Sequence, residues 1–254
     1  MKVTFLGTGT SQGIPVIACG CEVCQSPDPK DKRLRTSIHV ETNGLSLVVD
    51  TGPDFRQQML RENINTLDAV IFTHAHKDHI AGMDDIRAYN FVQQNAVPIY
   101  ADKIVQEALR RDFHYVFADE KYPGIPEVEM NTIEYNTPFT IGTTKIEPIM
   151  VWHYRLPVLG FRFGDFTYIT DANRIDEAEK EKIKGSKALV LNALRKTEHI
   201  SHFTLDEAIA LAQELQVPDT YLIHLSHQMG KHEEVSKELP AGIHIAYDGL
   251  QLVL

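Results

Sequence analysis

His74, His76, Asp78 and His79 stand directly behind the apolar run Ala69-Val-Ile-Phe-Thr and offer three imidazoles and one carboxylate. Imidazole nitrogen and carboxylate oxygen are ligands for zinc and manganese. His74 and His76 are two apart and can face the same way, whereas Asp78 and His79 begin a turn and reach a second, neighbouring point. That spacing suits two adjacent divalent metal ions. Their joint chemistry is hydrolysis, because paired ions lower the pKa of a shared water and polarise the substrate, so no protein nucleophile is needed. One such histidine alone would read as a satisfied core or surface residue; four ligands in a row at a strand end do not.

A second group of ligand types is the cysteine cluster Cys19-Gly-Cys21-Glu-Val-Cys24, which holds all 3 cysteines of the chain. An odd-numbered cluster cannot be fully paired into internal disulfides, and in a reducing compartment it reads as metal ligands. A structural zinc site wants a fourth Cys or His to close its tetrahedron. The residues alone do not name it.

These groups need a scaffold, and the chain of 254 residues with 43% hydrophobic content can build a continuous core. Short β-branched runs alternate with helical patterns, which predicts an α/β fold. Strands are expected at Val3–Leu6, Ser37–Glu41, Leu45–Val49, Ala69–Phe72, Ile99–Ala101, Lys145–Val151, Gly160–Phe163, Thr167–Ile169, Ala188–Leu191 and Tyr221–Ile223, with two more near the C-terminus. Helices are expected at Asp54–Arg61, Ile80–Asn90, Lys103–Arg111, Asp176–Ile183 and Thr204–Gln216. In the last, Leu205, Ala208, Ile209, Ala212 and Leu215 form an apolar stripe, and Thr204 with Glu207 resembles a capping box.

No repeat or linker is visible, so residues 1–254 read as one domain with the cysteine-bearing loop, residues 8–35, inside it. The aromatic stretch Phe113–Met130 shows no clear pattern. The net charge is -10, from 35 acidic and 25 basic residues. That argues against a nucleic-acid partner, and a small anionic substrate would need local positive charge, which bound metal ions can supply. The basic stretch Lys30-Asp-Lys-Arg33-Leu-Arg35 reads as a solvated loop. With no apolar run long enough for a membrane span and no secretion-signal pattern, the expected location is cytoplasmic.

The His74–His79 cluster, with Leu47-Val-Val-Asp50-Thr-Gly52, Trp152-His153, Thr170-Asp171 and Ile223-His224 falling after strands in that order, resembles the metallo-β-lactamase superfamily. The resemblance covers nearly the whole chain and implies a four-layer αββα sandwich. It implies a first metal on His74, His76, His153 and Asp171, and a second on Asp78, His79, His224 and the shared Asp171. Asp50 would orient a ligand without binding metal. Within that superfamily, Ser11-Gln-Gly-Ile-Pro15 followed by the cysteines is similar to the family of the phosphoribosyl cyclic phosphate phosphodiesterase. That likeness implies His227 as the fourth ligand of a structural zinc, His202 as a catalytic acid or phosphate-binding residue, and a homodimer. The expected function is hydrolysis of a small cyclic or nucleotide-like phosphodiester with two catalytic Zn or Mn ions, Asp78 serving both as ligand and in catalysis. Transfer-RNA 3′-end cleavage, thioester or lactone hydrolysis, and a non-catalytic metal-binding scaffold are the competing readings.

Overall fold

The structure, a computed structural model, describes residues 1–120 and 122–254. The first half of the chain runs β1 (Lys2–Gly7), β2 (Ser37–Thr42), β3 (Leu45–Val49), α1 (Phe55–Arg61), β4 (Ala69–Ile71), α2 (Lys77–Ile80), α3 (Arg87–Gln93), β5 (Val97–Ala101), α4 (Lys103–Asp112) and β6 (Val128–Thr132). The second half runs β7 (Phe139–Ile141), β8 (Thr144–His153), β9 (Leu156–Phe163), β10 (Phe166–Tyr168), α5 (Glu177–Ile183), β11 (Ala188–Asn192), α6 (Leu205–Leu215), β12 (Asp219–Ile223), α7 (His232–Glu238), β13 (Ile243–Ile245) and β14 (Gln251–Val253). They form two seven-stranded sheets, ordered β14-β1-β2-β3-β4-β5-β6 and β13-β12-β11-β10-β9-β8-β7.

Near-continuous apolar strands arise because many strands are buried on both faces. In β3, Leu47 and Val49 point into the space between the sheets while Val48 faces the helices; Ala69, Ile71 and Val70 of β4 divide the same way. On the other sheet Ala188 and Val190 face inward, and Leu189 and Leu191 pack under α5 and α6. Phe5, Phe161, Phe163, Phe166 and Tyr168 fill the middle. The result is the expected αββα layering.

Strand direction decides where chemistry is possible. β3, β4 and β5 run parallel, as do β10, β11 and β12, so their C-terminal ends gather at one rim of the sandwich. The Leu159 N–H donates to the Thr73 carbonyl at 3.0 Å and ties the two sheets together there. α6 begins at the same rim, and its cap is reciprocal: Thr204 Oγ1 accepts from the Glu207 N–H and the Glu207 carboxylate accepts from the Thr204 N–H.

Several expectations are corrected. The helix expected over Ile80–Asn90 is broken into α2, a 3₁₀ turn at Met83–Ile86, and α3. The break falls at Gly82, whose N–H donates to the Thr51 carbonyl at 2.8 Å. β6 and α7 escape the sequence patterns because β6 has no fully buried residue and α7 buries only Val235. The basic stretch is not a solvated loop: Arg33 is buried, donating to Thr8 Oγ1 at 2.8 Å and the Ala246 carbonyl at 2.5 Å, and Arg35 pairs with Asp54 at 3.0 Å. Within Phe113–Met130, Phe113 and Val116 pack against the helix-covered face, and the Tyr115 hydroxyl donates to Asp84. Lys121 of that stretch lies outside the described residues.

A methyl group on Gly82 would lie 2.1 Å from the Gly52 carbonyl oxygen. Gly82→Ala must therefore displace the turn that carries Asp78 and His79, at a cost of about 1–3 kcal/mol. Chemical denaturation should show a lower midpoint and metal analysis a lower content; a variant matching the parent in both would show that this close approach does not matter.

Candidate metal centre

The rim residues converge from four strand ends. His74 lies three residues beyond β4, His153 is the last residue of β8 (one turn of the pleat further than the predicted strand), Asp171 follows β10, and His224 follows β12. Asp78 and His79 ride on α2. Asp78, His79, Asp171 and His224 present ligand atoms all within 4.8 Å of one another, as do His74, His76 and Asp171, and so do His153, Asp171 and His202. The structure thus groups His153 with Asp171 and His202, with its ring centroid 5.1 Å from that of His76.

Asp171 Oδ1 is 3.4 Å from His79 Nε2 and 3.2 Å from His224 Nε2, while Oδ2 is 3.7 Å from His74 Nε2 and 3.4 Å from His202 Nε2. The Nε2 atoms of His74, His79 and His224 are buried without a hydrogen-bond partner. Buried unpaired nitrogens facing carboxylates are costly unless a cation joins them. Two ligands each bonded at ~2.0–2.1 Å to one tetrahedral zinc lie about 3.4 Å apart, so these separations fit metal coordination and the donor set fits divalent ions.

For three of the imidazoles the other ring nitrogen is partnered, which fixes the tautomer, whereas His224 Nδ1 is buried without a partner. His79 Nδ1–H donates to Asp50 Oδ2 at 2.7 Å, and His153 Nδ1–H donates to the Ser201 carbonyl at 2.8 Å. Thr73 is the joint between two of these residues: its N–H and hydroxyl both donate to Asp50 at 2.8 Å, and its Oγ1 accepts from His74 Nδ1–H at 3.0 Å. All three rings therefore present Nε2 to the centre, as ligating histidines require. Burial by itself disfavours the Asp171 carboxylate, yet His224 and His79 hold its pKa well below the usual range. Burial also works against a charged His79, but Asp78, Asp171 and Asp50 together raise it. For His202 burial wins, lowering its pKa to about 4 against the pull of Asp171.

The backbone is strained at the same places. Asp50 (φ 66°), Asp171 (φ 51°) and His224 (φ 56°) all adopt the left-handed conformation that few non-glycine residues take up. Each costs about 1–3 kcal/mol and persists only where neighbours hold it. Ser37 Oγ spans the Val49 and Asp50 carbonyls at 2.9 Å, and Asn192 both donates to and accepts from the Ala172 backbone.

Residues 8–35 carry a second cluster. Cys19 Sγ and Cys21 Sγ each lie 3.3 Å from His227 Nδ1, and Cys24 Sγ lies 3.7 Å from it. Sulfur at ~2.3 Å and nitrogen at ~2.0 Å from one tetrahedral zinc are about 3.6 Å apart, so this Cys3His set fits a closed metal site. The Cys24 N–H and His227 lower the Cys21 thiol to about 6. Gly9 bridges to both Arg35 and Leu225, which seats the loop beside the segment bearing His224 and His227.

Every site residue expected from the sequence lies in one of these two clusters. Sequence reasoning missed Thr73, Ser201 and His199, whose Nδ1 is 3.2 Å from His202 Nδ1. Thr73 and Ser201 are of types with no metal-site signature, and His199, though a ligand type, stands outside the strand-end motifs; only position next to a site residue could have marked them.

Asp50→Asn removes one of the acceptors that serve His79 and Thr73, and metal affinity should fall by about 10–100-fold with the fold retained. Unchanged affinity in a chelator competition would remove Asp50 from the centre. Cys21→Ser should lose one metal equivalent and keep the rest, as counted by elemental analysis; no loss would mean that the thiolates hold no ion.

A family model described as a beta-lactamase superfamily domain matches residues 46–225. The crystal structure of a new diphosphatase from the PhnP family superposes with a TM-score of 0.93 at 40% identity, covering 99% of this chain and 96% of that one. Zinc-bound PqqB from Methylobacterium extorquens superposes with a TM-score of 0.81 over 100% of both chains at 21% identity, a likeness of fold. Among curated sequences, an octanoyltransferase of Porphyromonas gingivalis is 40% identical over 256 residues; the match takes in 100% of this chain and 52% of that protein, so the chain spans about half that relative's length. From the matched model and the full-length 40% likeness, the chain belongs to the metallo-β-lactamase superfamily and, within it, to the PhnP family.

Proposed function

We propose that this hydrolase is a dinuclear, metal-dependent phosphodiesterase acting on a small cyclic or nucleotide-like phosphodiester. The observation that carries the reading is the double reach of Asp171, whose two oxygens face two separate imidazole groups. In this reading His74, His76, His153 and Asp171 hold one Zn or Mn ion, and Asp78, His79, His224 and Asp171 hold the other. Cys19, Cys21, Cys24 and His227 hold a structural zinc, which suits a reducing, cytoplasmic setting. When bound, the two ions supply an activated water and neutralise charge on phosphoryl oxygens.

The protein's own groups do the positioning. His202 Nε2 lies beside Asp171, while its Nδ1 faces Ser201 Oγ at 3.1 Å. Its Nε2–H is thereby aimed into the centre, as a donor to a phosphoryl or departing oxygen. His76 is exposed, which leaves the centre open to substrate on that side. Lys77, between His76 and Asp78, is already paired with Asp112, so it offers little to an incoming anion. A nucleic-acid substrate is disfavoured by the net charge of -10.

The diphosphatase in the PhnP family supports a phosphorus substrate and widens it to diphosphate linkages. A second reading, thioester hydrolysis, draws support from the octanoyltransferase relative. A side-by-side assay with bis-p-nitrophenyl phosphate, ADP-ribose, octanoyl thioester and a lactone separates them. Turnover of a phosphorus substrate is expected, and turnover of the thioester alone would replace the phosphodiesterase reading. His202→Ala should slow phosphorus-ester hydrolysis by about 10²–10⁴-fold with metal content intact; an unchanged rate would leave His202 without a catalytic part.

A further inference from the structure

The β8–β9 hairpin closes next to the metal centre through a two-residue turn, Tyr154 and Arg155, between the paired residues His153 and Leu156. Turns of this length demand positive φ at the first position, where glycine, asparagine or aspartate normally stands. Here that residue is Tyr154, with φ 58°. A bulky aromatic in the left-handed region is an outlier, and outliers of this kind concentrate at functional sites.

Its surroundings tie it to the centre. The Tyr154 N–H donates to Asn173 Oδ1 at 2.8 Å, and Asn173 Nδ2 donates to the Ile200 carbonyl at 3.1 Å. The turn is thus fastened to both loops that carry Asp171 and His202. The Tyr154 side is open, with the residue 48% exposed, and the Arg155 guanidinium carbon lies 5.0 Å from its ring centroid. Among the described residues no carboxylate pairs with Arg155. Neighbouring cations are committed: Arg174 pairs with Asp176 at 3.2 Å, and Arg195 donates to Gln228 at 2.9 Å. In a chain of net charge -10, an unpaired guanidinium two residues from His153 is placed to meet an anion.

We propose that Tyr154 and Arg155 form a nucleotide platform at the rim of the metal centre, the ring stacking on the base and the guanidinium binding a phosphate other than the scissile one. The proposal rests on the phosphorus-ester reading above and narrows its substrate class to nucleotides bearing two phosphates. An exposed aromatic face is sequence-tolerant towards bases, and a planar guanidinium matches phosphate geometry.

Calorimetric titration of the metal-loaded protein with ADP, AMP and ribose 5-phosphate tests it without requiring turnover. AMP should bind about tenfold or more tightly than ribose 5-phosphate, and ADP more tightly still. Tyr154→Gly should erase the preference for AMP over ribose 5-phosphate while keeping metal content, with a melting temperature equal to or above the parent's because glycine relaxes the turn. Tyr154→Asn, which also tolerates positive φ, provides the same comparison should the glycine variant fold poorly. Arg155→Ala should reduce the advantage of ADP over AMP by about fivefold or more. Equal binding of AMP and ribose 5-phosphate to the parent, or an intact preference in the Tyr154 variants, overturns the platform. Hydrolysis is scored separately, so a protein that discriminates bases but cleaves no phosphorus ester would sink the proposed function alone.

Discussion

Asp171 brings a buried carboxylate against two groups of imidazoles, with one oxygen turned to His79 and His224 and the other to His74 and His202. In a protein interior, unpaired ring nitrogens and ionised carboxylates are each expensive, and only cations placed between them satisfy both. The centre is therefore a place where folding and metal loading are coupled. Much of the surrounding structure serves to hold Asp171 and its neighbours in a conformation that the backbone resists.

That resistance is visible at Asp50, Asp171 and His224, all left-handed and all just beyond strands. The strands themselves are buried on both faces and fixed by packing between two sheets, so they form a rigid base for strained residues. Function sits on the loops at the rim, and stability comes from the sandwich beneath. Gly52 and Gly82 complete this division: a methyl on Gly52 would lie 2.2 Å from the Asp78 carbonyl oxygen, so the ligand-bearing turn packs backbone to backbone against the strand-end loop, beside the His79–Asp50 hydrogen bond.

The cysteine cluster reinforces the same rim from outside. His224 and His227 share one short segment, which contributes to both clusters. A closed Cys3His set has no position for substrate, whereas the rim centre is open at His76, which is the difference that in general separates structural from catalytic metal sites. Arg33, buried within this loop, links Thr8, the Ala246 carbonyl and His232, so the loop is anchored by charge and hydrogen bonds.

The sequence by itself determined the chemistry class. His74, His76, Asp78 and His79 are closely spaced ligand types behind an apolar strand, and Thr204 with Glu207 announces the start of α6, because both signals depend on residue type at short spacing. The roles of His153, Asp171, His224 and His227 came through resemblance, since a lone histidine or aspartate after a strand has no local signature. Tertiary structure alone decided which oxygen of Asp171 faces which ring, how Thr73 joins Asp50 to His74, that Arg33 is buried, and that the helix after His79 breaks at Gly82. It also revealed the left-handed Tyr154. The reason is physical: these features depend on contacts between residues far apart in the chain and on backbone angles that residue type does not dictate, and both exist only once the two sheets have closed on each other.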